Sequence, residues 1–441
     1  MLGCIELLVA RARLPLLVET SSWYARLVTK FQLLVRAVQM LAKSETRVVA
    51  AREVFLALLP KLQRASLELG STKNWQYLEV EPSYHFRLEV PEDGLSRVRF
   101  KNHCGVVQVA PFFAACLKDV RVIGPWGIPV TRSGKIVVEA VGVDFFASRI
   151  FGTIRTLGAG TTLKQYLLAI FPMFERRSSA LPLAAHLIPR EWDDHGNPHF
   201  GHWLGEKLPQ IRAFRAMENI QQRPIPLLIN SSPTAWQLEL LEVFGIPVSN
   251  LILAQPHGQR VKELIVGSLR NVHSRHIEID PRARSWLAQE LTNRGNGYQG
   301  PKAKGVFVFR GQHETRSIAN QPELIARLEA SGLTRFEPGS QDKPSEIGQL
   351  SEAEVLLGDF GSGLMNLLFM PNCRRIIEIF GPNQRDRHVF FYLAAELGIQ
   401  HSSIEATGLN GDFATMPGSR LADIAAVTTA LEQFSPGNGA R

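Results

Sequence analysis

Cysteine is scarce: Cys4, Cys104, Cys116 and Cys373 are the four in 441 residues, and none forms a CxxC pair. That count excludes a disulfide scaffold and the common zinc frameworks and suits a reducing compartment, with a Cys104–Cys116 pair as the minor alternative. No apolar run reaches the ~18 residues of a membrane span. The first ten residues are apolar but hold Glu6 and no basic leader, so a signal peptide is not expected and the cytoplasm is. Repeats and low-complexity tracts are missing, apart from a Ser/Pro/Gly tail at 435–441. Charged residues make up 20% and hydrophobic ones 45%, the balance of a globular chain and not of a disordered one. The net charge of +8 favours anionic partners. Its basic residues are scattered and not interleaved with aromatics, so nucleic acid is not the expected one.

The length exceeds one ordinary core, so two domains and an appendage are expected. Residues 1–66 read as a helical N-terminal extension, because no Pro or Gly interrupts 19–59 and apolar residues mix with Arg26, Lys30 and Arg36. Such a helix either packs on the body of the protein or a second subunit, or lies on an anionic membrane through residues 19–43. Peripheral contact with the inner membrane follows from the second alternative. Residues 67–150 read as short strands (106–113, 120–123 and 135–140) between glycine and proline turns, a β-rich segment without legible chemistry.

From 180 to 270, and again from 303 to 405, strands and helices alternate. The first set has strands at 225–230, 251–254 and 263–266 and a helix at 234–244 stopped by Gly245. The second has strands at 306–309, 334–336, 355–357 and 375–380, with helices at 321–330, 346–353, 364–369 and 389–397. Such alternation builds parallel sheets covered by helices. The expected fold is α/β, two Rossmann-like lobes facing a cleft, with residues 67–295 forming one lobe and 296–405 the other. Their join falls in the polar stretch 293–304, and 406–441 form a C-terminal return helix and tail.

Three constellations carry chemistry. In the first, an apolar strand at 355–357 is followed by Gly358, Gly361 and Gly363 and then by a helix that Pro371 stops. Glycines let the backbone approach a ligand, and the free N–H groups of the first helical turn point at it, so a phosphate or diphosphate is the expected guest. Glu378, at the end of the next apolar strand, is placed to hold ribose or sugar hydroxyls, or else faces solvent.

The second runs from Trp192 to Glu206 and packs His195, His199 and His202 with Asp193, Asp194 and Glu206. His202 and Glu206 are four apart on one helical face, and a carboxylate beside an imidazole fixes its tautomer for use as a base. The rival readings are a metal site from His195, His199 and His202 with Asp193 or Asp194, whose spacing matches no common zinc pattern, and a plain helix start. Third comes Arg310-Gly-Gln-His-Glu-Thr-Arg316, after the strand at 306–309. Loops beyond the carboxyl ends of strands are where open α/β sheets bind ligands, and two arginines there can clamp a diphosphate.

Together these motifs resemble glycosyltransferase family 61. The family's Asn…(Tyr/Phe)-Gly-His-Trp/Phe…Asp/Glu…Leu-Pro segment matches Asn197, His199-Phe200-Gly201-His202-Trp203, Glu206 and Leu208-Pro209. Its Arg and Arg-x-Ile-x-Asn elements match Arg310, Arg316 and Asn320. Its Gly-x-His-Gly-Ala-Gly-Leu-x-Asn-x-x-Phe-Met-Pro segment matches residues 358–371, with Phe360 where the family has His, and Glu378 follows on the next strand. The likeness spans about residues 115–405.

The resemblance implies a GT-B-like fold and an inverting transfer from a nucleotide sugar to a glycan acceptor, without an essential metal or other cofactor. Capsular or surface polysaccharide synthesis is the setting it implies. An inverting step needs a base on the acceptor hydroxyl and cations on the leaving diphosphate, so His202 is expected as base or acceptor orienter with Glu206 in support, and Arg310 on the leaving group. Arg316, Asn320, Gly361, Ser362, Gly363, Asn366 and Glu378 fall on the donor side, and Asn197 and His199 on the acceptor side. Phe360 leaves a second reading, a catalytically impaired relative acting as a binding or scaffold module.

Overall fold

A computed structural model describes residues 61–62, 75–91, 94–123, 127–132, 136–137, 140, 180–189, 198–255, 258–269, 282–293, 303–309, 318–381, 384, 387–408 and 420–433. The described residues fall into two compact units. One draws on 1–77, 116–183 and 254–264, the other on 78–115, 184–253 and 265–441.

The first unit is β-structure. Residues 121–123 pair antiparallel with Ile128–Val130, which pair antiparallel with Ile136–Val137. Lys61–Leu62 add a parallel edge to Ile136–Val137. These two residues lie within the stretch expected to be helical; both are strand. The remainder of 1–66, including the membrane-contact reading of 19–43, lies outside the described residues.

The second unit holds a five-stranded, all-parallel sheet: β1 (Gly305–Val308), β2 (Thr334–Phe336), β3 (Val355–Asp359), β4 (Arg375–Phe380) and β5 (Gln400–Glu405), in spatial order β2-β1-β3-β4-β5. All residues of β3 and β4 are buried, which is why they read as near-continuous apolar runs. Helices α1 (Gln321–Ala330), α2 (Lys343–Leu350), α3 (Val389–Glu396) and α4 (Ile424–Glu432) belong to the same unit. Leu324 and Leu328 of α1 and Val427 and Ala430 of α4 form one core with Leu357, Ile377, Ile379 and Ile404. Side chains alternate along a strand, so Ile376, Glu378 and Phe380 point to the opposite face. There Phe100, from the helix Gly94–Phe100, stacks on Phe391 of α3 at 4.2 Å.

That strand order reverses between β1 and β3, the topological switch point where doubly wound sheets open a crevice at their carboxyl edge. β1 ends at Val308 and β3 at Asp359, in parallel register through Phe307 and Leu357. The remaining strands of this unit include Leu227–Ile229, paired in parallel with Leu251–Leu253 and with residues 185–186. The helix Ala235–Val243 is opened by a capping box at Thr234 and Gln237 and ends before Gly245, as expected from the sequence. The helix expected at 346–353 is found earlier, as α2, because Asp342 accepts the Ser345 N–H at 2.8 Å and caps it there.

Candidate functional site

The turn after β3 departs from an α-helix. Ser362–Phe369 is a 3-10 helix, tighter than the α-helix expected over 364–369. Gly361 sits at φ 152°, ψ −168°, a conformation only glycine adopts without strain. A Cβ on Gly363 would lie 2.6 Å from Val308 Cγ1, so this position is glycine because the turn is pressed onto the end of β1. Asn366, buried, donates to Gly363 O at 2.8 Å and holds the turn closed. At the far end Arg284 donates to Met370 O at 2.9 Å and Pro371 O at 2.6 Å, satisfying carbonyls that the helix leaves open.

The histidine segment is pressed onto the same turn. It is not a continuous α-helix but a helical turn at Phe200–His202, a π turn at Trp203–Lys207, a 3-10 turn at Leu208–Gln210 and an α-helix from Ile211 to Gln221. Pro209, inside the 3-10 turn, has no N–H to give to an α-helical ladder. A Cβ on Gly201 would lie 3.2 Å from Ser362 Cα and 3.1 Å from Met365 Cγ. His199 Nδ1 is 3.2 Å from Ser362 Oγ, and the His199 and His202 rings meet edge to face at 5.3 Å. His202 Nδ1 lies 2.6 Å from Glu206 Oε1; the Glu206 side chain is 1% exposed and that of His202 36%. A carboxylate accepting from Nδ1 selects the tautomer with the lone pair on Nε2 and holds the ring in one orientation.

His199, His202, Glu206, Gly361, Ser362, Gly363 and Asn366 are thus brought together. Asn320 is not oriented toward this group: its amide exchanges two hydrogen bonds with the backbone of Ala422, both 2.9 Å. Asn197, Arg310 and Arg316 lie outside the described residues, as do Asp193, Asp194 and His195 of the metal reading. Phe360 is half-buried, donates its N–H to Ile379 O at 2.8 Å and meets Phe390 edge to face at 5.5 Å.

Glu378 is fully buried. Its Oε1 accepts from Arg99 Nη2 at 2.7 Å and its Oε2 is 2.9 Å from His401 Nε2. Burial pushes the carboxyl upward, but the His401 hydrogen bond, the charges of Arg99 and His401 and the Arg99 hydrogen bond outweigh it, so Glu378 is held below the usual carboxylate range. Arg99 also donates to Ser403 Oγ and to the carbonyls of Gln384 and Arg387, pinning the loop that leaves β4. Sequence reading missed Arg99 because it lies in a stretch read as strands and turns, on a helix of only seven residues.

The site thus combines an all-parallel α/β sheet, a glycine turn at its switch point and a histidine–carboxylate pair on the segment packed against that turn. Residues 200–377 match the family model described as Glycosyltransferase 61, the family the motifs resemble. The EGF domain-specific O-linked N-acetylglucosamine transferase of Drosophila melanogaster is 28% identical over 116 residues, 25% of this chain and 22% of the relative. The chain therefore spans about a fifth of the length of that relative. A mutant flavo di-iron protein of Thermotoga maritima matches 80% of this chain and 100% of its own at 11% identity with a TM-score of 0.20, too low to speak to the fold.

Proposed function

We propose that this protein is an inverting glycosyltransferase that moves a sugar from a nucleotide-sugar donor to a glycan acceptor, without a bound metal. The family match over 200–377 and the transferase relative support sugar transfer. The observation that carries the site is the contact of the histidine segment with the glycine turn, through Gly201 and His199 against Ser362. It sets a base beside the cradle where a leaving phosphate would sit.

In this reading His202 Nε2 takes the proton of the acceptor hydroxyl while Glu206 holds the ring. The acceptor oxygen bonds to the anomeric carbon from the face opposite the leaving group. The bond from that carbon to the phosphate oxygen breaks, and the diphosphate departs with the electron pair. Arg310, Arg316 and the N–H groups of residues 361–363 offset its charge. His199 and Asn197 line the acceptor side. Asn320, Asn366 and Glu378 act on the donor through the loops they hold. The reading keeps the GT-B-like arrangement, with 67–295 as acceptor-side lobe and 296–405 as donor lobe. A cytoplasmic or membrane-peripheral place in surface polysaccharide synthesis completes it, resting on the low cysteine content and the family resemblance. Among the described residues no helix is long and apolar enough to cross a membrane.

Phe360 favours a second reading, a relative that binds nucleotide sugar and does not turn it over. A screen of nucleotide sugars with the purified chain, reading released diphosphate and binding of UDP and GDP, separates the two. Release with one donor supports the transferase; binding without release supports the second reading. If no nucleotide diphosphate binds below about millimolar Kd, both fail.

A further inference from the structure

We propose that Arg420 is a positioning residue that ties together the three loops leaving the carboxyl edge of the sheet after β1, β3 and β4. Its catalytic consequence rests on the reading of that edge as the diphosphate site; the tie itself does not. The Arg420 side chain is 1% exposed. Its Nη2 donates to Asp359 Oδ2 at 2.5 Å, and Asp359 is the last residue of β3, directly before Phe360 and the glycine turn. Its Nη1 donates to Gln384 Oε1 at 3.4 Å, and the same oxygen accepts the Gly381 N–H at 2.9 Å, in the loop after β4. The Arg420 main chain forms a parallel bridge with Ile318, and its carbonyl accepts the Ala319 N–H at 2.7 Å, where the chain leaving β1 enters α1. Two residues on, Ala422 is gripped by Asn320.

A planar guanidinium with several donors in fixed directions can serve carboxylate and amide acceptors at once, which an ammonium cannot do in the same geometry. Burial raises the stakes. Removing the cation leaves the Asp359 carboxylate, nine-tenths buried, without this counter-ion at the point where the backbone turns into the cradle. Arg420 therefore sets the position of Asp359, where the turn begins, relative to Ile318–Ala319 and to Gln384 with Gly381.

The experiment compares Arg420→Lys, and Asp359→Asn as a charge-removing variant of nearly the same shape, with the wild-type full chain. Arg327→Ala, at an exposed arginine bonded to Thr428, is the control. Amide hydrogen exchange is followed in peptides covering 309–319, 360–363 and 381–388, and UDP and GDP are titrated. The expected result for Arg420→Lys is faster exchange in all three peptides with a native far-UV spectrum, and a Kd for the bound nucleotide raised about tenfold or more. Asp359→Asn accelerates 360–363 most, and Arg327→Ala changes neither measurement. Faster exchange confined to residues around 420, with an unchanged Kd, overturns the proposal. If wild-type protein binds neither nucleotide, the diphosphate reading fails on its own, and the exchange data still decide whether Arg420 couples the loops. Should Arg420→Lys not fold, Asp359→Asn decides: no acceleration at 360–363 refutes the tie.

Discussion

Nδ1 of His202 lies 2.6 Å from Oε1 of Glu206, with the carboxylate buried and the imidazole more than a third exposed. The pair forms at a spacing of four although Trp203–Lys207 is π-helical. His202→Ala is expected to lower turnover about 10²–10⁴-fold, the range of a lost general base. Glu206→Gln is expected to cost less, because Nε2 remains but its tautomer and orientation are no longer imposed. Donor-release kinetics check both. Equal turnover in His202→Ala and wild type removes His202 from the mechanism.

Gly363 and Val308 form a matched contact. A methyl group on Gly363 meets Val308 Cγ1 at 2.6 Å. Gly363→Ala is expected to cost about 1–3 kcal/mol by overpacking and to weaken nucleotide binding. Adding Val308→Ala should restore part of the loss, since the clash is with that side chain and not with backbone. Urea unfolding of the single and double variants measures this; additive losses would mean that the turn is not seated on Val308.

The buried Arg99–Glu378–His401 group links pH to stability. Glu378 is held below its ordinary carboxyl value in the folded chain, so the unfolded chain takes up its proton first as pH falls. The stabilisation is complete above the unfolded value of about 4.3 and is lost as pH falls through the lower folded value. The stability difference between wild type and Glu378→Gln should therefore be constant above about pH 5 and shrink below about pH 4.3. Chemical unfolding across that range tests it, and a difference that grows on acidification would contradict the assignment. Arg99→Met, which leaves the buried carboxylate with His401 but without its guanidinium partner, is expected to cost up to about 3–5 kcal/mol at neutral pH.

Cys373 is buried and its thiol is pushed up to about 11, first by burial. The thiolate is the reactive species, so iodoacetamide at pH 8 should leave Cys373 unmodified in the native chain and modify it after unfolding. Cys104, half-buried, should react in the native state. Peptide mass spectrometry reads both sites, and prompt native labelling of Cys373 would show that its surroundings open.

Much of the second unit was legible because its signals are local. The strand at 375–380 and the helix at 321–330 were placed at their observed bounds, since a strand buried on both faces is an unbroken apolar run and a helix between Asn320 and Gly332 is punctuated at each end. His202 and Glu206 were paired by a spacing of four. The turn at 361–363 was read from its glycines as an anion cradle followed by an α-helix; the structure has a 3-10 helix there, with Gly363 seated against Val308. Glu378 was singled out, yet its partners were not: Arg99 is 279 residues away in the chain.

Residue order alone determined where the chain turns, which runs are buried and which side chains lie one helical turn apart, since propensity, periodicity and backbone freedom act over a few residues. Tertiary structure decided that Arg99 and Arg420 reach residues of the five-stranded sheet, and that the histidine segment rests on Ser362. Those contacts join residues far apart in the chain, where a guanidinium leaves no periodic trace and only the closing of the fold, with burial of its charge beside a carboxylate, selects its partner.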